Sequence, residues 1–370
     1  MWFERKLRFD PLLAAGVILL ASIGIFMIYS TSAVAAHRIY QGQSALFLKK
    51  QLIAAVIGFA AMFAAMHLNH EKLKSLAWPL LILSVVLLAL VLIPGVGTKV
   101  KGARRWIRIS GFGLQPSELA RLALVIFLAY SLTVKQDLIK TFKHGFLPYL
   151  IITGVIALLI LLEPDMGGAV TVGLIMLVML FVAGARYRHL VPTVLVAAVV
   201  MFIFLISDGL RWKRVLATIN PWKYWKDAGW QLVNSFLAFG SGGIYGEGLG
   251  QGMQKLFYVP DAHTDFILSV IGEEFGFVGV VVVVTLFTLV VYRGATIAWR
   301  SSSLFGAFLA FGITAMIGVP AVINMMVVLG LLPTKGLVLP YISYGGSALV
   351  VYLLAAGILL NVSTKMYRTR

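Results

Sequence analysis

Residues 11–31 read PLLAAGVILLASIGIFMIYST, a stretch without a charged side chain whose one proline stands at its start. At about 1.5 Å of rise per residue, such a run reaches across roughly 30 Å of hydrocarbon as a helix. It is too long for the core of a cleavable leader and lacks a convincing small-residue cleavage site, so it is expected to remain as a membrane span.

The same reading repeats along the chain. Comparable apolar windows lie near 51–68, 76–93, 116–133, 146–162, 166–183, 190–207, 264–291, 303–330 and 345–362. They predict an all-α polytopic membrane protein of about ten spans, folded as one transmembrane domain over residues 1–370. A hydrophobic content of 60% excludes an ordinary soluble domain. Short alternating strands of the kind a membrane barrel needs are absent. Without cysteine, the chain has neither disulfides nor thiolate metal sites.

With an even number of spans both termini lie on one side. Lys and Arg are shared almost equally between the two sets of loops, but on the termini's side they crowd into short connections such as Arg186 and Arg188. Density in short loops sets orientation, so the termini are expected in the cytoplasm and the long loops outside the cytoplasmic membrane. Those outer loops still gather many cations, which fits an anionic ligand or a basic surface facing lipid headgroups. Nucleic acid fits poorly, because the net charge of +17 comes with no recognition motif and is split across a membrane.

Two outer connections are long, about 94–115 and 208–263, the latter between spans 7 and 8. The second holds Trp212, Trp222, Trp225 and Trp230, which suits a segment at headgroup level. Its run GSGGIYGEGLGQG, residues 240–252, lacks the ending of a nucleotide loop and reads as a backbone device for turns and close packing.

Polar residues at the span ends carry the chemistry. The first outer loop offers Lys99, Lys101, Arg104, Arg105 and Arg108, suited to phosphate oxygens, with Trp106 among them. At the following helix start, Glu118 and Arg121 stand three apart and either pair or point together into a cavity. Asp165, in EPDMGG at 163–168, either favours the positive end of the next helix or serves a site completed from elsewhere. Asp261, His263 and Asp265 stand at the threshold of the eighth span, where ionisable groups are expensive and by default functional. Two carboxylates and an imidazole could hold a divalent cation, and a partly desolvated Asp265 could act as general base or metal-positioning group. On an ideal helix Glu273 sits about 80° from Asp265, so the two need not share a face. Between the last two spans, Pro333, Gly336, Pro340 and Gly345 interrupt the apolar pattern, making Lys335 and Ser343 candidate ligands.

Taken in order, RRW, LQPSE, EPDMG, PDAHTDF and ISYGGSA resemble the SEDS family of shape, elongation, division and sporulation proteins, from the first span to the last. QKLFYVPDAHTDFI and LPTKGLVLP look like its division branch more than its elongation branch, with the sporulation branch open. The resemblance implies a peptidoglycan glycosyltransferase that polymerises lipid II, the undecaprenyl-pyrophosphate-linked disaccharide peptide, on the outer face of the inner membrane. It implies a class B penicillin-binding protein and other division proteins as partners. The family's essential aspartate falls on Asp265 within the HTDF motif that includes His263. Its other cavity residues fall on Arg104, Arg105, Glu118, Arg121, Asp165, Lys335 and Ser343, with Arg121 where relatives often carry Lys. The expected reaction is inverting transfer, with Asp265 activating the acceptor 4-hydroxyl directly or through Mg2+ or Mn2+ and with no organic cofactor.

A lipid II flippase and a non-catalytic division scaffold are the rival readings. A transporter should place comparable polar groups at mid-membrane or on the cytoplasmic side, and few are seen there. The partner's helix is expected on the lipid side of spans eight and nine, where Gly272, Gly276, Gly279, Gly306, Gly312 and Gly318 allow close approach.

Overall fold

The computed structural model describes residues 9–39, 45–100, 102–109, 112–252 and 263–366. Lys101 and Asp261 of the sequence analysis lie outside the described residues. Twelve α-helices are described: α1 (Pro11–Ile39), α2 (Leu46–His67), α3 (Leu73–Leu92), α4 (Pro116–Val134), α5 (Leu147–Leu162), α6 (Met166–Val182), α7 (Tyr187–Ile206), α8 (Gly209–Ile219), α9 (Trp230–Gly242), α10 (Ile267–Trp299), α11 (Leu304–Val328) and α12 (Gly346–Met366). Among the described residues, nine helices are long and apolar enough to cross a membrane, and α6 is a shorter apolar tenth. The predicted spans and these ten helices correspond in order.

Local sequence sets their starts. Pro116 opens α4 at a position whose missing N–H costs nothing. Asp165 caps α6 through the Gly168 amide at 3.0 Å, and Ser303 caps α11 through the Gly306 amide at 3.1 Å. α4, α11 and α12 are buried over most of their length and form the centre. α12 packs on α2, α11 on α4 and α6, and α10 on α1, α9 and α11. α7 stands at the rim, with most of its side chains facing outward.

The described parts of both long loops hold regular elements. The first folds into an antiparallel sheet in the order β1 (Gly97–Val100), β2 (Ala103–Ile109), β3 (Phe112–Leu114). Ser347 at the start of α12 fixes it to the bundle, donating to the Gly113 carbonyl at 2.6 Å and accepting the Gln115 amide at 3.0 Å. The second long loop holds α8 and α9. Its glycine-rich stretch packs against α10, which it repairs.

The eighth span is not the single helix expected from residue 264. It starts at Ile267 and is broken at Gly276, whose φ of 66° and ψ of −162° belong to a region only glycine tolerates. The break leaves the carbonyls of Glu273 and Glu274 and the amides of Phe277 and Val278 without helical partners. The glycine-rich segment supplies all four. Glu247 and Gly248 donate to the two carbonyls at 2.9 and 3.1 Å, and Gly243 and Ile244 accept from the two amides at 2.9 and 3.2 Å. Such repair is what membrane depth demands, because an unpaired backbone group costs several kcal/mol there. Glycine is required for the approach: a Cβ on Gly242 would lie 2.0 Å from the Gly272 carbonyl oxygen, and one on Gly246 2.2 Å from that of Glu274.

Candidate functional site

Asp265 lies in a turn before α10 rather than on it, so the helical angle to Glu273 does not apply. The turn is clasped by the irregular chain between α11 and α12. The Tyr344 amide donates to the His263 carbonyl at 2.9 Å, and the Ser343 hydroxyl donates to the Thr264 carbonyl while accepting the Leu339 amide at 2.8 Å. From α11, the buried Asn324 side chain donates to the carbonyl of Asp265 at 2.9 Å and to that of Leu337 at 2.6 Å. Three backbone carbonyls in succession are thus held, which fixes the direction in which the Asp265 side chain leaves. Its carboxylate borders Gly336, where an added Cβ would stand 3.1 Å from Oδ2.

Gly336 is also part of the wall of a cleft of about 570 Å³. The other walls are Arg105 of β2, Pro164 to Gly167 at the α5–α6 turn, Leu205 at the end of α7, Arg211 and Arg214 of α8, and Pro333 to Lys335. Among the described residues, four cations therefore face a space whose one lining carboxylate, Asp165, is engaged as a helix cap. Burial holds the Lys335 ammonium below the usual lysine range, and its side chain has no hydrogen bond or ion pair among the described residues.

Strand alternation separates the two arginines of the RRW motif. Arg105 donates from Nε to the Glu163 carbonyl at 2.9 Å and from Nη2 to the Pro164 carbonyl, which fastens the sheet to the α5–α6 turn at the cleft. Arg104 points to the opposite face with Trp106 and reaches back to the Leu92 carbonyl at 3.5 Å, outside the cleft. Glu118 and Arg121 are not brought to the cleft surface either. Both are buried; Arg121 Nη1 donates to Glu118 Oε2 and to the Tyr352 hydroxyl, each at 2.9 Å, which is the paired arrangement of the two open at the sequence level. His263 stacks beside Phe47 and Tyr344, with ring centroids 5.1 and 5.7 Å away. Ser343 spends its hydroxyl on backbone.

Compared with known proteins, the family model for FtsW, RodA and SpoVE, described as a cell cycle protein, matches residues 11–368. The chain belongs to this family. A protein named "Probable peptidoglycan glycosyltransferase FtsW" from Geobacter sulfurreducens is 46% identical, covering 97% of this chain and 96% of its own. Stage V sporulation protein E of Bacillus subtilis is 42% identical over 97% of this chain and 98% of its own. Among solved structures, a chain of a peptidoglycan synthase complex described as coordinating polymerization and crosslinking superposes with a TM-score of 0.80, at 30% identity, over 98% of this chain and 99% of that one.

Within this FtsW/RodA/SpoVE member, sequence reasoning missed Asn324, Arg211, Arg214 and Glu163 as site residues. A lone amide in the apolar run of α11 was a usable signal, as was an i,i+3 arginine pair in a long outer loop. Glu163 is fully buried beside the cleft with neither carboxyl oxygen hydrogen-bonded, and burial together with the nearby Asp165 pushes it up to about 8. Gly306 and Gly312, two of the glycines expected to receive a partner helix, face inward. A Cβ on Gly312 would meet Val125 and Met179 at 2.7 and 2.8 Å, and one on Gly306 would meet Ser301 at 2.6 Å. α11 is mostly buried, with Leu304 and Val322 exposed, whereas α10 offers an outer apolar edge with Phe277, Val278, Val281 and Val282 exposed.

Proposed function

We propose that Asp265 is the general base of an inverting glycosyl transfer and that the adjoining cation-lined cleft receives a diphosphate. The chain is a peptidoglycan glycosyltransferase of the division type. In the proposed step the Asp265 carboxylate takes the proton of the acceptor 4-hydroxyl, the freed oxygen attacks the anomeric carbon of the donor, and the bond from that carbon to the diphosphate oxygen breaks. Its electron pair leaves with undecaprenyl diphosphate and the anomeric configuration inverts. The observation that carries this reading is the position of a held carboxylate against Gly336, a residue in the wall of a cleft that also contains Lys335 and Arg105. Fixed cations where negative charge develops lower the barrier without reorganisation.

Arg105 and Lys335 are the cleft ligands in this scheme, with Asp165 holding the α6 start in place. Glu118 and Arg121 act from behind as a buried pair that braces α4 against Tyr352, Ser343 and His263 keep the Asp265 turn in register, and Arg104 serves the outer sheet face. Asp265 is a hard oxygen donor, which fits Mg2+ or Mn2+ in the mode where one carboxylate and substrate phosphates share the ion. No group of three ligating side chains forms a dedicated cage among the described residues. Bound there, the ion would neutralise charge on the departing diphosphate.

Lipid II is the proposed substrate. We place both termini in the cytoplasm and the cleft outside, on the density of Lys and Arg in the short loops. A class B penicillin-binding protein is the proposed partner, its single helix lying along the outer edge of α10. The test is purified protein and partner in detergent with labelled lipid II, where a flippase has no second compartment to fill. Glycan chains are expected from wild type and none from Asp265→Asn of normal expression and partner binding. Polymer from Asp265→Asn within a few fold of wild type removes the base.

A further inference from the structure

Arg211 and Arg214 of α8 are not accounted for by the RRW, EPDMG or HTDF motifs, yet both line the cleft opposite the α5–α6 turn. They stand i,i+3 on one face of a short helix whose start is fixed by the Asp208 side chain accepting the Leu210 amide at 2.9 Å. Arg211 is oriented rather than consumed: its guanidinium stacks 3.9 Å from the centroid of the Phe204 ring and touches Asp208 at 3.2 Å. The Arg214 side chain has no hydrogen bond or ion pair among the described residues, like that of Lys335. Cations arranged so are costly to gather unless an anion shares them, and two arginine forks with a lysine match the oxygens of a diphosphate.

Chemistry decides which diphosphate this is. The attacking hydroxyl oxygen, the anomeric carbon and the leaving oxygen lie nearly in line and the base contacts the hydroxyl's proton, so the leaving diphosphate is the one nearer the base. The acceptor's own diphosphate is two sugar rings away from its 4-hydroxyl. Asp265 borders the cleft at Gly336, next to Lys335.

We propose that Arg211 and Arg214, facing Arg105 and Lys335, hold the leaving diphosphate, which makes this cleft the donor subsite. The inference rests on the reading of Asp265 as base. α8 then does two things: it anchors the outer loop at the membrane surface and closes one wall of the donor subsite. After transfer the same residues retain undecaprenyl diphosphate, so the product should compete with the donor.

The experiment uses the full chain in nanodiscs of neutral phosphatidylcholine, with undecaprenyl diphosphate as the binding probe, for wild type, Arg211→Gln/Arg214→Gln and Arg211→Lys/Arg214→Lys. Losing one charge-assisted contact costs about tenfold or more in affinity. The Gln double variant is therefore expected to bind the probe at least about tenfold more weakly and to resist product inhibition, with the Lys variant in between. Unchanged probe binding in a monodisperse Gln variant overturns the proposal, even if polymerisation drops. A difference that emerges only in discs of anionic lipid overturns it too, and assigns the arginines to headgroups. If Asp265→Asn still makes glycan, the base reading falls while the binding comparison stands on its own.

Discussion

Gly276→Ala should uncouple α10 from the glycine-rich segment that repairs it. Placing a side chain at φ 66°, ψ −162° costs about 1–3 kcal/mol by itself. The added Cβ would also lie 2.4 Å from the Gly246 amide nitrogen and 2.4 Å from the Ile244 carbonyl oxygen, and backbone on both sides leaves nothing flexible to yield. The segment must move away, and the four backbone bonds across the break go with it. A buried polar group left unsatisfied costs about 1–3 kcal/mol, so losing even two of the four adds about 2–6. The total, about 3–9 kcal/mol, is a large part of the 5–15 kcal/mol that typically separates a folded domain from its unfolded state. The assay is thermal unfolding of the purified protein in one detergent, read beside glycan polymerisation. Gly240→Ala is the matched control, because nothing lies within 4 Å of its Cβ position. The expectation is an unfolding midpoint many degrees lower for Gly276→Ala with activity lost, and a midpoint close to wild type for Gly240→Ala. A Gly276→Ala protein that melts with wild type would show that the segment does not hold α10 together, and the argument from backbone repair would fail.

Because Arg105 lines the cleft and Arg104 does not, Arg105→Gln should lower polymerisation at limiting lipid II about tenfold or more, while Arg104→Gln stays within about two- to threefold; equal losses would return both to a joint clamp. Asn324→Asp replaces an amide donor with an acceptor facing the carbonyls of Asp265 and Leu337, so activity should vanish and stability fall by about 2–5 kcal/mol, whereas wild-type activity would show that this bridge does not position the base. Glu163 is raised from its ordinary 4.5 to about 8, so the folded state holds more protons than the unfolded one between those values. Stability contributed by the protonated acid is full below pH 4.5 and lost as pH rises through about 8. Glu163→Gln should accordingly gain stability relative to wild type as pH climbs from 5 to 8, measured by melting at each pH; parallel pH profiles would show the carboxyl to be ionised when folded.

The spans were legible because lipid imposes one rule, length with apolarity, that a sequence window can read. The loops obey no such rule. Arg104 and Arg105 are adjacent letters, and their opposite roles come from the pleat of a strand that the sequence alone did not reveal in a chain of helices. Gly276 looks like any glycine in a membrane helix, since helical and broken conformations are both open to it. What decides is the distant segment 243–248, whose backbone groups match the orphaned ones.

The candidate site divides along the same line. Asp265, Asp165, Arg105 and Lys335 stand out as charges at span ends, where the desolvation cost alone marks them. That three of them line one cleft while Asp265 borders its wall at Gly336 does not follow from that cost. Asn324 makes the reason plain. An amide in an apolar helix must find a partner, so the sequence says that a bond exists. Its donors end on the Leu337 carbonyl, 13 residues away, and on the Asp265 carbonyl, 59 residues away. Those acceptors belong to every residue's backbone and leave no trace in composition. The position of the Asp265 carboxylate is therefore set by main-chain atoms, which side-chain identities cannot encode locally. A substitution that keeps every charge in the cleft can still misplace the proposed base.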